Sequence, residues 1–126
     1  MRRTVTAIII LILALSIGIF SHFYIKSACN QAISGVKEIL ESTVTQDKEK
    51  VNQLCVQANT NWNKKVFLLN ILIGREYTKE VSKHFDKMLY FSESSDYDSV
   101  ITNAEDCKAE LANIIRSNEL DLSTIF

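Results

Sequence analysis

Between Thr4 and Ile25 the chain carries no Asp, Glu, Lys or Arg, and this uncharged run limits what the remainder can be. As an α-helix rising about 1.5 Å per residue, a run of this length exceeds the roughly 30 Å hydrocarbon layer of a bilayer. It is dense in Ile and Leu from Ile8 to Ile19 and closes on Phe20, Phe23 and Tyr24, rings that favour the headgroup zone. The run predicts a transmembrane anchor over residues 4–25. Arg2 and Arg3 precede it while only Lys26 follows closely, and the positive-inside bias then puts residues 1–3 in the cytoplasm. Residues 26–126 become an extracytoplasmic domain on a single-pass protein of the cell membrane.

A cleaved secretory signal has the same basic start and is the competing reading. Its cleavage site is missing, because the small triplet at Ala14, Leu15 and Ser16 lies inside the apolar run and bulky residues follow at Phe20, His22, Phe23 and Tyr24. Ser27, Ala28 and Cys29 resemble the end of a lipoprotein cleavage box, but Lys26 stands where that box needs an apolar residue.

After Lys26 the chain is ordinary and polar. Of 14 basic residues only 11 lie beyond Lys26, against 15 acids, which leaves this part near −4. Such a balance lacks the basic face that phosphate recognition needs, so no nucleic-acid partner is expected. Proline is absent and the three glycines are Gly18, Gly35 and Gly74, so the punctuation of strands and hairpins is missing. The fold class expected is all-α, with the anchor helix continuing into a small bundle of about four helices.

Apolar residues at Ala32, Ile33, Val36, Ile39 and Leu40 carry the first helix outward, with Gly35 as a candidate close-packing point. A turn is expected over residues 42–47. The second helix starts near Asp47, buries Val51, Leu54, Cys55, Ala58, Trp62, Val66 and Leu69, and stops at Gly74. The third runs from Arg75 to Phe91 with Tyr77, Val81, Phe85, Met88 and Leu89 inward. A turn over residues 92–96 follows, in which Ser95 and Asp98 imitate a capping box. The fourth buries Val100, Ala104, Cys107, Leu111, Ile114 and Ile115, and the apolar tail from Leu120 to Phe126 is expected to dock back on the bundle.

A shift of 49 residues lays Val36 on Phe85, Ile39 on Met88, Asp47 on Asp96, Cys55 on Ala104 and Trp62 on Leu111. Two similar helical hairpins would produce this. So would any two helices in matching heptad phase, since 49 is a multiple of seven.

Little in the sequence carries chemistry. Cys29, Cys55 and Cys107 are odd in number and lack metal-site spacing, and read as small core residues; a Cys55–Cys107 disulfide between the second and fourth helices is the one candidate bridge. His22 and His84 have no ligand partner at helical spacing, and Glu80, Lys83 and His84 read as a solvated helix edge. No phosphate loop, nucleophile elbow or paired carboxylates occur, so no catalytic, cofactor-binding or metal-binding residue is assigned and no enzyme is expected.

The most unusual stretch runs from Trp62 to Ile73. From Val66 onward it is too short to span a bilayer, so burial beneath other helices is the plain reading. The sharper reading makes Trp62, Lys64, Lys65, Phe67 and Leu68 a contact with a partner or with the membrane surface, the lysines snorkelling toward headgroups.

The basic start and anchor, the order Trp62, Asn63, Lys64, Lys65, Val66, Phe67, Leu68, Leu69, the acidic turn at Ser95, Asp96, Tyr97 and Asp98, and the ending from Leu120 to Phe126 are together similar to a family known as domain of unknown function 4363. Its members are uncharacterised small single-pass membrane proteins of Gram-positive Firmicutes. The resemblance covers nearly the whole chain through order and spacing. A His that commonly follows the family's apolar stretch is absent here, where Gly74, Arg75 and Glu76 stand. The resemblance implies the topology above and no catalytic activity.

These readings converge on a membrane-anchored interaction module, held by the bilayer through residues 4–25 and accessory to another membrane or envelope protein. The alternative is a sensor of lipid or small ligand, with a pocket between the hairpins near Trp62 and Phe85.

Overall fold

In a computed structural model, residues 1–125 are described, with side chains for residues 1–120. They form four α-helices: α1 (Arg2–Thr45), α2 (Lys48–Ile73), α3 (Arg75–Glu93) and α4 (Tyr97–Ile125). Consecutive helices pack side by side, α4 closes back on α1, and among the described residues the diagonal pairs bring no Cα atoms within 8 Å of each other. This is an up-down-up-down bundle with short connections.

The first helix is one uninterrupted rod of 44 residues, about 66 Å at 1.5 Å per residue. From Arg2 to Phe20 every residue is exposed. The bundle core begins at Ile25, Ala28 and Cys29. We call the exposed part the stem and the neighbouring end of the bundle its stem end. The stem is long and apolar enough to cross a membrane.

Within the bundle each helix buries one stripe at three- and four-residue spacing: Val36 and Ile39 on α1, Val51, Cys55, Trp62 and Leu69 on α2, Val81, Phe85 and Met88 on α3, and Val100, Ala104, Cys107 and Leu111 on α4. Each large side chain removed from water in this way contributes about 1.5–3 kcal/mol.

Three local expectations need correction. Tyr77 is not inward but 53% exposed, and Thr78 is buried in its place. Thr78 can be buried because its hydroxyl bonds to the Asn70 side chain and the Arg75 carbonyl. The α1–α2 turn is also shorter than expected, since Ser42 and Thr43 stay in the helix, buried, with their hydroxyls donating to the carbonyls of Ile39 and Leu40. Lastly, Ser95 takes a left-handed φ of 59° and Asp96 is the cap, accepting from the Ser99 backbone N–H at 3.2 Å.

The two hairpins agree beyond heptad phase. Among the described residues Gln46 and Ser95, 49 residues apart, are the two non-glycine residues of positive φ, and each is followed by a capping aspartate, Asp47 accepting from Lys50 N and Asp96 from Ser99 N. Buried Thr43 and Ser92 likewise return their hydroxyls to carbonyls three residues back. A heptad pattern does not dictate turn geometry, so these matches support a repeated hairpin. The docking expected of the tail from Leu120 to Phe126 falls outside the described side chains.

Candidate functional site

The antiparallel register of α1 and α2 fixes what gathers at the stem end. Gly35 faces Ala58, where an added methyl would sit at an ordinary contact distance of 3.6 Å from the Ala58 Cβ, and Lys65 Nζ donates to Gln31 Oε1. Counting on in this register brings Phe67 level with residues 26–29 of α1 and Ile71 level with residues 22–25. Across the bundle α4 is pinned at both ends. Tyr97 donates to the Gln46 carbonyl at 3.2 Å, and Asn118 Nδ2 donates to the His22 carbonyl at 3.2 Å with His22 Nδ1 3.0 Å away. An exposed ion pair, Lys26 with Glu119 at 3.6 Å, lies beside the second pin.

The stem end is therefore built from α1, the α2–α3 connection and the end of α4. Its outward faces carry large apolar groups, with Phe23 at 62%, Phe67 at 74% and Ile71 at 65% exposure. Gly74 makes the connection in one residue, with φ 95° and ψ 150°, a conformation open essentially to glycine.

The five residues singled out in the sequence divide. Trp62 belongs to the core: it is 2% exposed, its Nε1 donates to Ser82 Oγ at 2.8 Å, and its ring centroid is 5.7 Å from that of Phe85. Lys64 and Phe67 are exposed, while Lys65 and Leu68 are half-buried. Burial lowers the Lys65 pKa, and the ammonium turns to Gln31 across the α1–α2 seam. Sequence reasoning missed Ile71 and its shared level with Phe23. The signal was available in the outward phase of Lys64, Phe67 and Ile71, which recur at three and four residues.

Grooves flank the helices. One of about 310 Å³ lies between α1 and α2, lined by Ala28, Ala32, Gly35 and Ala58, with Trp62 at its wall and Lys64 and Lys65 at its edge. Phe85 is not part of that lining. A wider, open groove of about 790 Å³ follows α2 and α3 and carries Arg75, Lys79, Lys83 and Lys87 with Asn70, Asp86 and Tyr90. His84 Nδ1 is 3.2 Å from Asn103 Oδ1 beside a third groove, between α3 and α4. Among the described residues no three of His, Cys, Asp and Glu come together to hold a metal.

All three cysteines are free thiols in the core. Burial pushes Cys29 up to about 12; burial, with a smaller contribution from the nearby Glu110 charge, pushes Cys107 up to about 12, and burial opposed by a hydrogen bond with Ser92 leaves Cys55 at about 11. These are inert thiols rather than nucleophiles. The Cys55–Cys107 bridge is not made: α2 and α4 are diagonal helices with no Cα atoms within 8 Å, and a disulfide needs less than about 7 Å.

Compared with protein-family models, curated proteins and solved structures, the chain finds no match.

Proposed function

We propose that the chain is a single-pass cell-membrane protein, N-terminus in the cytoplasm, that holds its helical bundle outside as an interaction module for another membrane or envelope protein. The observation that carries this is the form of α1. Its first 19 residues are wholly exposed and uncharged after Arg3, and the same helix then enters the bundle core without a break. An apolar surface of that size is unfavourable in water and at home in lipid. The continuous helix makes the attachment a strut, so the outer bundle is presented at a fixed height. Resemblance to the domain of unknown function 4363 family agrees with this topology and points to Gram-positive Firmicutes.

Photo-crosslinking tests the reading. A crosslinker placed at exposed Ile101 or Tyr90 in cells should capture a specific membrane or envelope protein. Recovery of a lone, uncrosslinked monomer from native membranes solubilised gently would sink the partner reading. Protease added outside intact cells should digest the bundle, and protection there would reverse the topology.

A sensor would use a different place from the one expected between the hairpins: the groove against Trp62 lies within the first hairpin, between α1 and α2. A ligand seated there should change Trp62 fluorescence and raise the melting temperature. Envelope lipids and metabolites that leave both unchanged would remove it.

A further inference from the structure

The stem end poses a physical problem that the stem alone does not solve. If hydrocarbon begins at Thr4, just past Arg2 and Arg3, a thickness of roughly 30 Å at 1.5 Å per residue ends near Phe23. The α1–α2 register puts Ile71 at or just beyond that level and Phe67 about one turn above it. Both point away from the bundle, at 65% and 74% exposure. Cations flank them along the chain, Lys64 on the outer side and Arg75, followed by exposed Glu76, on the side nearer the stem. Lys64 is exposed one turn farther out along α2, and Arg75 is exposed just past the Gly74 turn. Neither makes an ion pair among the described residues.

We propose that the α2–α3 connection is a second membrane contact, with Phe67 and Ile71 seated in the lipid interface beside Phe23 while Lys64 and Arg75 reach anionic headgroups. This rests on the reading that α1 crosses the bilayer. What selects lipid over a protein as occupant is continuity: the patch is level with the end of the stem's own apolar surface, on a neighbouring helix. Aromatic and long basic side chains together are the composition that settles at a bilayer surface. Two contacts on different helices resist tilting of the bundle, so the grooves above would be held at a fixed height and direction.

The test uses the full chain in vesicles of phosphatidylcholine and phosphatidylglycerol. Single cysteines for an environment-sensitive maleimide dye are introduced as Ile71→Cys, Ile12→Cys in the stem and Val44→Cys at the distal turn, where Val44 is 83% exposed. The native cysteines are buried and stay unlabelled, which the unsubstituted chain verifies. Expected is a blue-shifted Ile71→Cys dye quenched by spin-labelled lipid, a deeply quenched Ile12→Cys dye, and a Val44→Cys dye that is neither shifted nor quenched. An Ile71→Cys dye behaving like the Val44→Cys dye while Ile12→Cys is quenched overturns the second contact and leaves the anchor standing. A dye at Ile71→Cys that is shifted yet unquenched by lipid also overturns it, because a protein then covers the patch. An unquenched Ile12→Cys dye sinks the anchor reading; a quenched Ile71→Cys dye beside it would still establish the interfacial contact. Phe67→Ser in the Ile71→Cys chain should weaken quenching there and leave that of Ile12→Cys unchanged.

Discussion

Trp62 Nε1 donates a 2.8 Å hydrogen bond to Ser82 Oγ, tying α2 to α3 at the point where the indole also packs on Phe85. An indole N–H can only donate, so burial of Trp62 depends on this acceptor. Ser82→Ala should therefore lower the free energy of unfolding by about 1–3 kcal/mol, the cost of a donor left unsatisfied. Denaturant unfolding in detergent, followed by the emission of the chain's single tryptophan, measures it. An unchanged midpoint would mean that water reaches the indole through the α2–α3 groove that Ser82 lines.

Two glycines should respond to alanine with opposite signs. Gly74 has φ 95° and ψ 150°, where a side chain is strained whatever space surrounds it, so Gly74→Ala should cost about 1–3 kcal/mol. Gly35 lies inside α1, and a methyl there would meet the Ala58 Cβ at an ordinary 3.6 Å. Its glycine is not needed for close packing. Gly35→Ala should stabilise the bundle by about 0.5–1 kcal/mol through reduced backbone freedom of the unfolded chain. Thermal melts of the two variants in one detergent decide both signs.

The capping aspartates should not be equal. Asp47 accepts one long bond from Lys50 N at 3.4 Å, whereas Asp96 accepts from Ser99 N at 3.2 Å and, through its other oxygen, from Ser99 Oγ at 2.8 Å. Loss of a helix cap costs about 0.5–2 kcal/mol. Asp96→Ala is expected toward the upper end of that range and Asp47→Ala toward the lower. Hydrogen exchange at the first turns of α2 and α4 would locate the loss. Equal effects would show that the Ser99 hydroxyl adds nothing.

Much of this bundle is legible in hydrophobic spacing. Val81, Phe85 and Met88 fix the phase of α3, and Gly74 fixes the end of α2, because each acts through local periodicity or backbone conformation. Burial of Thr43, Thr78 and Ser92 was not legible. Each hides a hydroxyl by bonding a carbonyl three residues back, which hydropathy counts as polar and therefore outward. Tyr77 was misplaced for the same reason: Tyr77 and Thr78 both fit the inward phase behind Val81, and apolar character favoured the wrong one. The stem-end patch was half legible. Phe67 stood out, but its shared level with Phe23 depends on how two helices align, and no single-helix pattern contains that.

The thiols make stability depend on alkaline pH. In the unfolded chain Cys29, Cys55 and Cys107 lose their protons near the ordinary value of 9.0, while burial holds them up to about 12, 11 and 12 in the fold. Between those limits the unfolded state binds fewer protons than the folded one, so unfolding free energy falls as pH rises. The contribution is whole below pH 9 and is lost on the way to pH 12. Substitution isolates the contribution of the thiols. The repeat supplies the right variants: Cys55 corresponds to Ala104 and Cys107 to Ala58, so each hairpin already accepts alanine where the other holds a thiol. Cys55→Ala and Cys107→Ala should each lose a little stability at pH 7 and show a shallower decline than the native chain between pH 9 and 11. Parallel declines in native and substituted chains, measured as denaturant midpoints at each pH, would show that the thiols are solvated far better than their burial implies.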